Sequence, residues 1–245
     1  KRDPEGYRED YDAQIRRLES ELAVLALQPH TAPSKSLVEL IQFAAAVASS
    51  SYKGRESERI AALLLNLLVG GSTREETNNP NNNATAPYNN NTHAKPSPGA
   101  IQNVSTMPTA ALQLHKEVRK TCVSALILMR NKGAVPPIQL LESFFRIMAT
   151  VPDKGLRTQL YKHMVNDVRN LNKKGKRDEK VNRAIQSFLH RVVTVHGSAL
   201  SSVSSHATGT TDGESATDIA AKRATDMVCE LYRRHVWTDD RTVAI

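Results

Sequence analysis

The chain has 245 residues, with 33 Lys and Arg against 25 Asp and Glu and a formal net charge of +8. Its longest apolar runs, around Ala61–Val69 and Ala125–Met129, fall short of the roughly 20 residues that a membrane-spanning helix needs, and no signal-peptide pattern opens the sequence, so we expect no membrane association. Two cysteines, Cys122 and Cys229, lack metal-ligand spacing, which is typical of free thiols in a reducing compartment.

Residues 1–71 are predicted to form an N-terminal helical segment of three amphipathic helices. The first ends before Pro29, Ser34 is placed to cap the second, and Gly70 closes the third. The stripe of the first helix repeats at spacings of three and four and consists of Tyr11, Ile15, Leu18, Leu22 and Leu25. Residues 72–107 follow as a low-complexity insertion rich in Asn, Thr, Pro and Ala, which we expect to be disordered because it has too few apolar residues to offset its chain entropy.

Residues 108–196 are predicted to form basic helical-hairpin repeats. Pro108 is placed for the first turn of one helix, and Gly133 stops it. Pro136 and Pro137 start the next helix, with Phe144, Phe145 and neighbouring apolar side chains facing inward. Pro152 and Asp153 open a third helix, and Val181 to Val192 carry the apolar stripe of a fourth.

The remaining residues are predicted to form a flexible insertion and a last helix. Residues 197–215 are rich in Ser, Thr and Gly. Residues 216–245 are a C-terminal helical segment whose helix ends at Arg233-Arg234-His235, after which Trp237 can seal a joint. Because the chain begins at Lys1 rather than Met, we expect it to be part of a longer protein. The inward positions of the last helix are Ala220, Ala224, Met227, Val228, Leu231 and Tyr232.

The fold class predicted from these patterns is all-α, because no segment alternates as a strand does. From Pro108 to Asp153 is about 45 residues, within the range of HEAT and armadillo units. The next unit, which pairs the helices on either side of residue 175, reaches a similar length only when 197–215 is removed. We therefore expect a HEAT- or armadillo-like solenoid of helical hairpins with two disordered polar insertions.

Motifs for catalysis or cofactor binding are not found in the sequence. It has no phosphate-binding loop, no dinucleotide fingerprint and no nucleophile elbow. His163 and Asp167 lie four apart on one helical face, but a third ligand at helical spacing is missing, and zinc sites need three or four. We expect no enzyme activity, no metal, no cofactor and no small-molecule substrate.

The positive charge is concentrated in the middle of the chain, where residues 108–191 hold 17 Lys and Arg against 6 Asp and Glu. The densest part is the connection after residue 169. A polyanion surface explains this clustering, and so does a solvated loop. Asparagine amides add groups suited to phosphate and sugar contacts. The candidate RNA-binding residues are Asn172, Lys173, Lys174, Lys176, Arg177, Lys180 and Arg183.

Four further cations are secondary candidates, because they lie at helix C-termini, where capping explains them equally well. They are Arg130, Lys132, Arg233 and Arg234. Aromatic residues make up only 4% of the chain and fall on core stripes. A base-stacking platform is therefore not expected, and RNA would be held by its backbone and shape.

Five short segments together resemble the N-terminal region of a known family. They are Lys1–Tyr7, Ala125–Gly133, Asn170–Lys174, Val181–Arg183 and Glu230–Trp237. In this order they are similar to the severe-depolymerisation-of-actin (SDA) family, whose members are nuclear and nucleolar assembly factors of the large ribosomal subunit.

The resemblance implies an α-helical scaffold without catalytic activity, located in the nucleus and nucleolus. It also implies a further C-terminal region beyond the residues of this chain. Its partners would be pre-ribosomal RNA and large-subunit assembly factors or ribosomal proteins, and its role would be maturation and nuclear export. The link to actin in the family name is taken as indirect. An alternative is a protein-only transport or adaptor solenoid that binds acidic partners, and an enzyme using His163 and Asp167 is a third hypothesis.

Overall fold

The computed structural model describes residues 3–70, 109–173, 177–203 and 216–243. Within these ranges no residue lies in a β-strand, so the all-α prediction is confirmed. A short 3-10 helix at Ala110–Leu112 precedes the fourth α-helix. The α-helices of the described chain are α1 (Arg8–Leu27), α2 (Lys35–Ser50), α3 (Arg55–Val69), α4 (Lys116–Asn131), α5 (Pro137–Thr150), α6 (Lys154–Leu171), α7 (Glu179–Val203), α8 (Ala216–Arg233) and α9 (Asp240–Val243).

Local capping chemistry sets several of the helix ends where the sequence predicts them. The hydroxyl of Ser34 accepts a hydrogen bond from the backbone N–H three residues on, at 3.0 Å, and a carboxylate oxygen of Asp153 does the same at 2.9 Å. Pro137 occupies the first turn of α5, where its missing N–H costs nothing. Gly133 follows α4 with φ of +79°, a conformation that favours glycine.

The start of α4 differs from the prediction. A helix was expected from Pro108, which lies outside the described residues, but α4 begins only at Lys116, with His115 at its N-cap. The intervening segment turns through Ala110–Leu112 instead. The guanidinium of Arg119 donates to two carbonyls of this segment, at residues 111 and 114, over 3.2 and 2.8 Å. These bonds hold the segment against the helix that follows it.

The end of α7 also differs from the expected boundary. The helical backbone continues to Val203, seven residues into the stretch predicted as a flexible insertion. The rest of that stretch, 204–215, lies outside the described residues, as does the low-complexity insertion at 72–107.

A single apolar cluster runs through the described helices, from Tyr11 in α1 to Trp237 after α8. Most helices pack on a neighbour in the chain or on the next helix but one, as α2 does on α4 and α3 on α5, and α8 packs in addition on α5. This is the arrangement of a helical solenoid. Phe145 and Leu160, two predicted core positions, are fully buried.

The pairing of the last helices was predicted incorrectly. In the described chain α7 packs most extensively on α8, whereas the contact shown between the ends of α6 and α7 is the hydrogen-bonded pair Asn172 and Asn182. The α8 helix also contacts α5 and α6, so it lies where the sequence placed α7. Tyr232 of α8, predicted to face inward, is 50% exposed, because the buried stripe of this helix ends at Leu231.

Both cysteines are free thiols, as predicted, with Cys122 buried and Cys229 exposed. Burial raises the pKa of the Cys122 thiol to about 12, which makes it unreactive at neutral pH. Among the described helices, none combines the length and apolar character needed to cross a bilayer.

Candidate nucleic-acid interface

The basic connection joins the end of α6 to the start of α7. Its far end is fixed by Asp178, whose carboxylate accepts hydrogen bonds from the backbone N–H groups of Lys180 and Val181 at 2.9 and 3.1 Å. This is an N-cap, and it orients the first turn of α7. Its near end begins at Asn172, the C-cap of α6.

Three side chains tie the two ends of this connection to the C-terminal segment. The amides of Asn172 and Asn182 donate to each other over 2.9 and 2.8 Å. The indole N–H of Trp237 donates to the same Asn182 oxygen at 3.1 Å, and the Asn172 amide also donates to the carbonyl of Val168 at 2.8 Å. We call these three side chains, Asn172, Asn182 and Trp237, the Asn–Asn–Trp cluster. Asn182 is 3% exposed and Trp237 is fully buried, whereas Asn172 is half-buried at the edge of the cluster.

A second set of hydrogen bonds fixes α9 to α7 one turn further along. The buried amide of Gln186 donates to both carboxylate oxygens of Asp239 and to the hydroxyl of Thr242, each at 3.1 Å. Asp239 caps α9 by accepting from the Thr242 N–H at 2.9 Å. Its pKa is lowered, chiefly by the hydrogen bond from the Thr242 hydroxyl, with smaller contributions that include Gln186 and the positive charge of Arg177.

These contacts concern one part of the predicted RNA site. Asn172 was nominated as a ligand for phosphate or sugar, and in the structure its amide forms hydrogen bonds inside the fold. The same holds for Asn182, whose amide was read as part of the same surface. Both residues position the basic connection, and contact of Asn172 with RNA stays a prediction.

Several of the predicted cations do lie on the surface. Lys173, Lys180 and Arg183 are exposed and have no acidic partner among the described residues. Arg177 is 49% exposed but forms an ion pair with Glu179, so part of its charge is already neutralised. Lys174 and Lys176 lie outside the described residues. Since Asn172 and Asn182 are in hydrogen-bond contact, the residues that follow them, Lys173 and Arg183, are brought to the same end of the two helices.

Two more cations extend this surface along α6, and the sequence analysis missed them. Lys162, Asn166, Arg169 and Lys173 are exposed and follow one another at spacings of four, three and four, which places them on one side of the helix. The guanidinium of Arg169 donates to the Asn166 amide oxygen at 3.3 Å. The recurrence of these polar residues at helical spacing is the sequence pattern that could have identified Lys162 and Arg169. We define the basic face as Lys162, Arg169, Lys173, Lys180 and Arg183.

Arg130, a secondary candidate, is part of the internal packing and does not face a ligand. Its Nε lies 2.9 Å from a carboxylate oxygen of Asp167, and its Nη1 donates to the carbonyl of Val135 at 3.2 Å. The Arg130 side chain is 11% exposed. It joins α4 to α6, so the structure gives Arg130 a packing role, and its contact with RNA stays a prediction.

The other secondary candidates are at the surface, in different surroundings. Lys132 is exposed at the C-cap of α4 and lines a cavity beside α1. Arg234, which directly follows α8, pairs with Glu230 in the last turn of that helix. Arg233 is exposed and has no acidic partner in the described ranges. None of them adjoins the Asn–Asn–Trp cluster through a contact that the structure shows.

His163 and Asp167 do not form a metal centre with a third ligand in the part of the chain that the structure describes. Asp167 is engaged by Arg130, and the His163 ring packs edge-on against Phe144 with centroids 5.8 Å apart. The Nε2 atom of His163 is buried without a hydrogen-bond partner. Burial lowers the pKa of His163, the charge of Arg130 lowers it further, and Asp167 opposes the shift.

Comparisons with a family model and with known proteins all match this chain to SDA1. Residues 91–211 match a family model described as "SDA1, HEAT repeat". A "Protein SDA1 homolog" from Drosophila melanogaster is 30% identical over the whole chain, which spans 25% of that protein. A "Protein SDA1 homolog" from Nematostella vectensis is 34% identical over 54% of the chain and 16% of its own length. "Protein sda1" from Schizosaccharomyces pombe is 36% identical over 51% of the chain and 17% of its own length. The chain thus spans about a quarter of those relatives that match it throughout.

Proposed function

This chain belongs to the SDA1 family of HEAT-repeat proteins, and from that premise we propose that it is a non-catalytic scaffold for assembly of the large ribosomal subunit. In this proposal it acts in the nucleus and nucleolus, docks on pre-ribosomal RNA and on neighbouring assembly factors or ribosomal proteins, and supports maturation and nuclear export. The family resemblance supports the process, and the basic face supports the contact with RNA.

The observation that carries the RNA contact is a set of exposed cations held at a fixed place. Lys173 and Arg183 directly follow the two asparagines whose amides hydrogen-bond to each other, so the end of α6 and the start of α7 present positive charge together. A surface of this kind gains affinity by displacing counterions from phosphates, and a fixed geometry reduces the entropy lost on binding. Since few aromatic side chains are exposed, the contact is with the RNA backbone and its shape.

Charge reversal at the basic face tests this proposal. We expect the combined substitutions Lys173→Glu, Lys180→Glu and Arg183→Glu to reduce co-sedimentation with large-subunit precursors. The dependence of binding on salt should flatten by about 2–3 in the log–log slope, because three phosphate contacts are lost. The matched control is Arg16→Glu with Lys53→Glu and Arg55→Glu, three exposed cations of the N-terminal helices. The control should keep its association.

Nuclease treatment separates RNA docking from the protein-only adaptor. We expect complete digestion of RNA to release the wild-type chain from partially dissociated precursors to the same degree as the triple reversal does. Association that survives digestion and is equally weakened by both triple variants would contradict contact through the basic face.

A further inference from the structure

A cavity of about 520 Å³ opens beside the first turn of α1, far along the chain from the basic connection. It is bounded by α1, the second half of α2 and the end of α4. Its size lies in the range of pockets that hold a small ligand or a few side chains of a peptide. The wall is unusual for this chain because it includes four aromatic rings and two carboxylates, those of Tyr7, Tyr11, Phe43, Tyr52, Asp3 and Asp10.

Aromatic rings are concentrated here. The chain contains only 11 Phe, Tyr and Trp residues, yet four of them line this one cavity. Tyr11 stacks on Tyr52 with centroids 4.3 Å apart and lies 6.4 Å from Phe43. Tyr7 and Phe43 remain 63% and 39% exposed, although exposed large apolar side chains are few in the described chain. Exposed aromatic groups beside a cavity are typical of a binding surface.

The same rings already bind one cation of the chain. The guanidinium of Arg8 lies 5.2 Å from the centroid of Tyr52 and 5.9 Å from that of Tyr11. Its charge is matched by Asp12 and Glu56, each at 3.1 Å. A guanidinium is therefore compatible with these rings when carboxylates are close by.

Two carboxylates of the cavity wall form no ion pair with a described Lys or Arg. Asp10 is exposed and forms no ion pair with a described residue, and the Asp3 carboxylate accepts only the backbone N–H of Gly6, at 3.0 Å. Tyr7 and Asp10 are three residues apart at the start of α1, so they face the same side of the helix. Among the described residues of the wall, Lys132 is the one cation, at the end of α4. Counted over these described residues, the wall carries more negative than positive charge, in contrast to the basic face.

One buried donor also lacks a partner. The hydroxyl of Tyr11 is buried and makes no hydrogen bond with a described residue, and burial raises the pKa of this group to about 12. A buried hydroxyl without a partner costs free energy. The carbonyl groups of an extended peptide are acceptors that could satisfy it.

From this combination of rings and unpaired carboxylates, we propose that the cavity binds a basic peptide segment of a partner protein. An apolar side chain of the peptide fills the space beside Phe43, and the adjacent arginine or lysine lies between the ring of Tyr7 and the carboxylate of Asp10. The inference goes beyond the docking on RNA proposed above and does not depend on it.

The test uses the full chain and a fluorescein-labelled twelve-residue peptide of alternating Arg and Leu, with binding followed by fluorescence anisotropy. We expect Tyr7→Ala and Asp10→Asn each to raise the Kd about fivefold or more, as loss of a cation–π contact or its carboxylate partner does. Replacing each Arg of the peptide by citrulline, which keeps the shape and removes the charge, should abolish binding.

Matched controls remove the same groups outside the cavity. Glu9→Gln deletes a neighbouring exposed carboxylate that does not line the wall, and Tyr232→Ala deletes an exposed tyrosine of α8. Both should bind within twofold of the wild type. The proposal is overturned if the wild type does not bind the peptide, if the citrulline peptide binds equally, or if the controls weaken binding as much as the cavity variants. Asp10→Asn decides the matter if Tyr7→Ala does not fold, because Asp10 is exposed.

Discussion

At the scale of single residues, Asn182 joins three parts of the chain that are distant in sequence. Its side chain bonds Asn172 at the end of α6 and Trp237 after α8, and it lies in the first turns of α7. Three of the segments that carry the family resemblance, around residues 172, 182 and 237, thus meet at one buried hydrogen-bonding cluster. Together they hold the end of α6 and the start of α7 in place, and with them the neighbouring cations.

Truncation of Asn182 tests that role. We expect Asn182→Ala to lower the free energy of unfolding by about 1–3 kcal/mol, because the indole N–H of Trp237 and the amide of Asn172 lose their partners in a buried site. Urea unfolding measures the change. The control is Asn170→Ala, an exposed asparagine of the same segment, for which we expect less than about 0.5 kcal/mol. Equal effects of the two substitutions would contradict the structural role of the cluster.

His163 should make stability depend on pH in a defined direction. Its pKa in the folded chain is lowered, mainly by burial. The unfolded chain therefore takes up the proton first as the pH falls below about 6.5, and stability decreases in that range by at most about 1.4 kcal/mol per pH unit, while above it the group has no effect.

The measurement compares urea unfolding of the wild type and His163→Gln at about pH 7.5 and about pH 5.5. The wild type should lose more free energy of unfolding than the variant over this interval. Because Arg130 and Asp167 face the ring in both proteins, their effects cancel to first order. An equal loss in the two proteins would show that His163 is freely protonated in the folded state.

At the scale of secondary-structure elements, α5 lies at the centre of the packing. It contacts α3, α4, α6, α7 and α8, so its apolar side chains hold both halves of the described chain together. Phe145 is fully buried and meets Phe188 of α7 edge to face, with ring centroids 5.4 Å apart. The contact adds a directional aromatic interaction to the burial of the ring.

Removal of the Phe145 ring tests the packing around α5. We expect Phe145→Ala to cost about 3–5 kcal/mol, because the ring is lost and a cavity stays behind. Val24→Ala on α1, where the side chain is 67% exposed, should cost less than about 0.5 kcal/mol. Chemical denaturation of both variants gives the two values. A change below about 0.5 kcal/mol for Phe145→Ala would mean that α5 faces outward at this position.

Helix ends were predictable where they depend on a few adjacent residues. The caps at Ser34 and Asp153, Pro137 in a first turn and Gly133 after α4 all act within one helical turn. The packing partner of α7 was not predictable, because both α6 and α8 have an apolar face that could cover the apolar stripe of α7. The chain reaches α8 only after residue 215, so sequence proximity favoured α6. The extent of α7 was missed for a related reason. Its Ser- and Gly-containing end has the composition of a loop.

At the scale of the whole molecule, opposite chemistry lies at two places on one solenoid. Exposed cations lie along α6 and at the start of α7, whereas an aromatic cavity with unpaired carboxylates lies beside α1 and α2. A scaffold with two such surfaces can bind nucleic acid at one and a basic protein segment at the other. Each surface can be altered without changing the other.

Exposed cations at the connection after α6 were predictable from the sequence, but which of its side chains form hydrogen bonds inside the fold was not. A run of like charges between two amphipathic helices indicates a surface. Asparagine is ambiguous in such a run, because its amide bonds phosphate and another amide equally well, and the partners of Asn182 lie 10 and 55 residues away in the chain. The ion pair of Arg130 was not predictable for the same reason, since its carboxylate partner lies 37 residues downstream.

The most direct test of the central claim is crosslinking of the protein to RNA in living cells, followed by identification of the modified amino acids. If the basic face seats against pre-ribosomal RNA, the adducts should fall within residues 162–183 and should carry sequences of large-subunit precursor RNA. Adducts confined to other parts of the chain, or a yield from this segment no greater than that of the triple Glu variant, would contradict the account.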